Sequence, residues 1–139
     1  MMDPAEASMQ ITNTSKDGHR ILIVDDAAVV RESLRWTLED EPGLTVIGDA
    51  ATGAEALQKT SDLKPDLVLL DIELPDTDGF HVTRQIKAMP DPPLVVILSM
   101  HSDSASRQRG TEAGCDAFVG KESGWGALLQ VLQKVLSAS

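Results

Sequence analysis

A chain of 139 residues, 42% hydrophobic and 24% charged, is long enough to bury one core without disulfide or metal staples. Its formal net charge of −10 argues against an unassisted nucleic-acid binder, because phosphate contacts need a basic footprint. The lone Cys115 excludes an internal disulfide and a Cys-based metal site, and no run approaches the ~18 apolar residues of a membrane span or the apolar core of a signal peptide, so a cytoplasmic location is expected.

Residues 1–18 are polar, with scattered apolar positions, and read as a flexible leader; residues 19–139 read as one domain. The core begins at Ile21-Leu22-Ile23-Val24, a β-branched run that suits a strand buried on both faces and ends in Asp25-Asp26. Val30, Leu34 and Leu38 recur at helical spacing, with Asp26 or its neighbour opening the helix and Glu41-Pro42-Gly43 stopping it. Leu44 to Ile47 form a second short strand, and a helix around Ala54 and Leu57 ends before Pro65.

The third strand, Leu67-Val68-Leu69-Leu70, delivers a single carboxylate, Asp71, followed at once by an acidic turn bearing Pro75 and Gly79. A charge inside a doubly buried strand carries a large desolvation cost, so Asp71 is expected at the carboxyl end, facing a crevice. Thr77 or Asp78 caps a third helix with Val82, Ile86 and Met89 on one face, broken by the proline run from Pro90 to Pro93. Leu94 to Leu98 make a fourth strand ending in Ser99. Ser102 to Ala113 predict a poor helix with no large apolar residue, closed by Gly114; with so little to bury, it is expected to be mobile. Ala117-Phe118-Val119 lead to Lys121, and Leu128, Val131, Leu132, Val135 and Leu136 mark the last helix. Five strands alternating with five helices predict an α/β fold, a doubly wound parallel sheet.

Side chains at strand ends of such a sheet converge on one crevice, which here collects Asp25, Asp26, Asp71, Ser99 and Lys121. Any one of them has a bland explanation, since Asp and Ser cap helices and Lys is usually solvated. All five at successive strand ends are harder to explain that way. Three clustered carboxylates repel unless neutralised, and one divalent cation with the Lys121 ammonium balances them. Oxygen ligands with water filling the remainder suit Mg²⁺. Such a site can accept a phosphoryl group on Asp71, with Ser99 bonding the new phosphoryl oxygen.

At Ile21 to Asp26, Pro65 to Gly79, Leu94 to Met100 and Ala117 to Lys121 the chain resembles the receiver domain of two-component response regulators, over roughly residues 20–137. The resemblance implies a flavodoxin-like fold with strand order 2-1-3-4-5. It implies Asp71 as phosphoacceptor, served by a sensor histidine kinase or phosphotransfer protein. Asp26, Asp71 and the Glu73 backbone carbonyl would ligate Mg²⁺ directly, and Asp25 through water. Lys121 would pair with the phosphoryl group, and Ser99 and Phe118 would be switch positions. A phosphorylation-dependent homodimer is a further implication, with no nucleic-acid or membrane contact by this segment, and no turnover substrate beyond the chain's own phosphorylation and dephosphorylation. Ser99-Met100-His101 and Phe118 to Ser123 resemble most the receivers of helix-turn-helix transcription regulators. No helix-turn-helix or catalytic segment follows the fifth helix, which leaves open both an excised receiver of a longer protein and a stand-alone regulator acting through protein contacts.

The chain departs from the family in two places. Met100 stands where many relatives carry Ala or Gly, a longer side chain that narrows access to Asp71. Glu122 stands where many have Pro, so no cis bond is expected after Lys121. Glu73 and His101 flank the site, where they either tune phosphoryl lifetime or are simply solvated. A phosphatase of haloacid dehalogenase type would need a second Asp where this chain has Glu73, and a nucleotide- or flavin-binding module would need a Gly-rich turn where it has Asp25-Asp26. A degenerate receiver serving only as a binding surface would not need all five site residues.

Overall fold

The computed structural model describes residues 18–138, so the expected leader lies outside the described residues except for Gly18. The elements are β1 (His19–Val24), α1 (Ala28–Glu39), β2 (Leu44–Ala50), α2 (Gly53–Leu63), β3 (Leu67–Leu70), α3 (Gly79–Lys87), β4 (Leu94–Ser99), α4 (Ser104–Ala113), β5 (Ala117–Gly120), a 3₁₀ turn (Lys121–Ser123) and α5 (Gly124–Ala138). The strands pair in parallel in the order β2-β1-β3-β4-β5, the expected flavodoxin-like order.

The unbroken apolar runs are explained by burial on both faces of the sheet. Alternate residues of each strand serve opposite layers. Ile21, Ile23, Leu67, Leu69, Val96 and Leu98 pack with Leu34 and Leu38 of α1 and with Leu128, Leu132 and Leu136 of α5. Leu22, Val24, Val68, Leu70, Val95 and Ile97 pack on the other side against Ala56 of α2, Phe80, Val82 and Ile86 of α3, and Ala113 of α4. Among the described residues no helix is long and apolar enough to cross a membrane.

Several boundaries differ from expectation. α1 begins after Ala27, whose side chain provides no cap; Asp25 instead accepts the Ala27 N–H through Oδ1 at 2.9 Å. β2 runs on to Ala50, because Gly48, Asp49 and Ala50 pair with Leu22, Ile23 and Val24 after a register shift. Ala54 lies on the exposed face of α2, which buries Gly53, Ala56 and Thr60, and Met89 falls beyond the end of α3. Asp78 rather than Thr77 caps α3, accepting the His81 N–H at 2.8 Å. Gly114 ends α4 at φ 101°, as its type suggests, and no described peptide bond is cis. Gly126, in α5, has no heavy atom within 4 Å of an added Cβ. Gly126→Ala is therefore expected to raise stability by about 0.5–1 kcal/mol, through helix propensity alone, in a denaturant titration.

Candidate functional site

Strand register brings the site together. Val24 pairs with Leu70 and Leu70 with Ile97, while Ser99 pairs with Gly120, so Asp25, Asp71, Ser99 and Lys121 leave the sheet on one rim. The Asp71 N–H donates to the Val24 carbonyl at 2.9 Å, which sets the phosphoacceptor candidate beside Asp25. One carboxylate oxygen from each of Asp25, Asp26 and Asp71 lies within 4.8 Å of the others. Asp25 and Asp71 are buried, and Asp26 is exposed.

Lys121 Nζ closes the cluster, 2.9 Å from Asp25 Oδ2 and 3.4 Å from Asp71 Oδ2. Burial pushes the Asp71 carboxyl up to about 6; the Lys121 charge opposes this and the neighbouring Asp25 charge adds to it. For Lys121, burial alone would favour the neutral amine, but the hydrogen bond to Asp25 and the charges of Asp71 and Asp25 outweigh it and hold the ammonium above its ordinary value. The donor set is oxygen-only and needs neutralising charge, which fits Mg²⁺ with part of its hydration shell retained.

The loop after β3 is held from two directions. Asp76 accepts the N–H groups of Gly53 and Ala54 at 2.8 and 3.0 Å, at the start of α2; the Gly53 bond first, then that from Ala54, keeps its carboxyl below the usual range. At the other end, the Gly79 N–H donates to the Ile72 carbonyl at 2.6 Å. A Cβ on Gly79 would stand 2.4 Å from the Asp71 carbonyl oxygen and 2.7 Å from Ile72 Cα, so the loop closes only over a residue with no side chain.

Ser99 is wholly buried, and its Oγ accepts the His101 N–H at 2.9 Å. Phe118 is half-buried under the Arg107 guanidinium, 5.2 Å from the ring centroid. Glu73 and His101 meet across the mouth, Oε2 to Nε2 at 2.8 Å, although both remain well exposed. Met100 is 64% exposed. Sequence reasoning missed the Asp76 tether and the contacts of Arg107, Ser102 and Glu122; most of these partners lie on different elements, which nothing in local spacing marks.

Residues 21–133 match the model of the family described as the response regulator receiver domain. The chain belongs to that family. It is 40% identical over 113 residues to the transcriptional regulatory protein ResD of Bacillus subtilis, covering 81% of this chain and 44% of ResD. A two-component response regulator of the LuxR family from Aurantimonas sp. SI85-9A1 superimposes with a TM-score of 0.83 at 34% identity, covering 87% of this receiver and 86% of that chain. A CheX–CheY complex with BeF3 and Mg²⁺ from Borrelia burgdorferi gives a TM-score of 0.79 at 26% identity, covering 85% of this receiver and 89% of that chain. The receiver spans about half the length, or less, of the curated relatives it matches.

Proposed function

We propose that this receiver is a switch that accepts a phosphoryl group on Asp71 from a sensor histidine kinase or phosphotransfer protein and, once phosphorylated, regulates an output domain or a separate partner. The observation that carries this reading is the Asp25, Asp26 and Asp71 cluster closed by Lys121 at one strand-end rim.

Asp26, Asp71 and the Glu73 carbonyl would hold Mg²⁺, with Asp25 acting through water; bound there, the cation neutralises charge on the phosphoryl group in transit. The Asp71 carboxylate attacks phosphorus in line as the donor's bond to phosphorus breaks. Lys121 shifts from its carboxylate partners to the phosphoryl oxygens, and the donor keeps the departing electron pair. Ser99 then turns its hydroxyl to the new phosphoryl oxygen and the Phe118 ring moves inward, a population shift driven by contacts available only after transfer. A donor protein approaches over a rim carrying Val29 and Met100, both largely exposed, which offers apolar contact beside the acidic crevice. Self-association of the phosphorylated form belongs to the same reading.

The test is intact-mass analysis after incubation with Mg²⁺ and a small acyl phosphate. One phosphoryl increment is expected, dependent on Mg²⁺ and absent in Asp71→Asn. Labelling that persists in Asp71→Asn overturns the assignment.

A further inference from the structure

We propose that Ser102, Arg107 and Glu122 form a clasp between the two loops that carry Ser99 and Lys121, and that the closed clasp favours the unphosphorylated arrangement; the inference rests on the phosphoacceptor reading of Asp71 above. Ser102 Oγ donates to Glu122 Oε2 at 2.5 Å, and this bond chiefly holds the Glu122 carboxyl below its usual range. The Glu122 carboxylate folds back over β5, close to the space that a side chain at Gly120 would enter.

Arg107 ties α4 to the same place. Its Nε donates to the Ser102 carbonyl at 2.9 Å and its Nη1 to the Phe118 carbonyl at 3.1 Å, with the guanidinium over the Phe118 ring. Gly110, about one turn further along α4, faces that ring too, since an added Cβ would stand 2.9 Å from Phe118 Cδ2. α4 buries only Gly110 and Ala113, and these polar and cation–π contacts add to that small apolar face in holding it against β5.

Each half of the clasp is built on a segment that the phosphoryl group would move. Ser99 holds its loop through the His101 N–H, and turning its hydroxyl toward Asp71 would give up that bond and free the segment that leads to Ser102. Lys121 lies on Asp25 in the arrangement seen here, and Glu122 is its immediate neighbour, so a shift of the Lys121 turn toward a phosphoryl oxygen would draw on the Glu122 side of the clasp. The Ser102–Glu122 bond therefore exists in one arrangement and not in the other, and its strength enters the equilibrium between them.

The experiment measures the Kd of BeF3, with Mg²⁺ present, for the whole chain and for Ser102→Ala, Glu122→Ala and the double variant by titration calorimetry. Each single variant is expected to bind BeF3 roughly three- to ten-fold more tightly than wild type, the range the net worth of one solvent-exposed hydrogen bond spans, and the double variant no more tightly than the better single. Unchanged or weaker binding in both singles, or additive gains in the double, overturns the clasp alone. Failure of the wild-type chain to bind BeF3 overturns the phosphoacceptor reading and the clasp with it.

Discussion

Gly79→Ala is expected to lower stability by about 2–3 kcal/mol and to slow phosphoryl uptake at Asp71 far more than its distance from the reacting carboxylate suggests. The added methyl meets the Asp71 carbonyl oxygen at 2.4 Å and Ile72 Cα at 2.7 Å, both backbone atoms that no rotamer change can move aside. The same residue donates to the Ile72 carbonyl at 2.6 Å and accepts from Thr83 Oγ1 at 2.8 Å, within the buried start of α3. Relief must come from displacing the Ile72–Asp78 loop, which carries the Glu73 carbonyl and the Asp76 tether. A denaturant titration and the rate of labelling by a small acyl phosphate check both effects. Wild-type values in each would mean that the loop is compliant and that the closure at Gly79 does not position Asp71.

Asp71→Asn is expected to stabilise the metal-free receiver above pH 6, by on the order of 1–3 kcal/mol, and to leave it near wild type at pH 4. The sign follows from the folded state's hold on the proton. Burial raises the Asp71 carboxyl to about 6 from the ordinary aspartate value of 3.8, so the folded chain binds that proton more tightly than the unfolded chain does. The stability this provides is complete below the lower value and is lost as pH climbs through the upper one. Asparagine carries no charge to desolvate and escapes the loss. Thermal unfolding of both chains from pH 4 to pH 8 in chelator checks this, and a constant difference across that range would refute it. Mg²⁺ bound at the proposed site would narrow the gap by stabilising the wild-type fold through mass action.

The rim was legible because apolar runs as long as Leu67 to Leu70 need burial on both faces, and a charge at the end of such a run has only the crevice to occupy. Strand order was not: it came from the family resemblance, since nothing in spacing says which neighbours pair. β2 was read too short because Gly48 and Asp49 are poor strand formers that pairing with β1 overrides. Asp76 looked like one more acid in an acidic turn, and its partners at Gly53 and Ala54 lie on a different element. α4 was read correctly as a helix with little to bury, but composition gave no hint that Arg107 and Arg109 would lie over the rings of Phe118 and Phe80.

The position of each strand in the sheet has a mechanical consequence. Asp25 and Asp71 leave β1 and β3, each braced by a hydrogen-bonded neighbour on either side, whereas Lys121 and Phe118 belong to or follow β5, which has a neighbour on one side only. On the proposed phosphoacceptor reading, the chemistry would be anchored on strands paired on both sides and the response expressed at the sheet's edge. On the same reading, substitutions along that edge would retune how far the signal travels while the carboxylates on β1 and β3 keep their geometry.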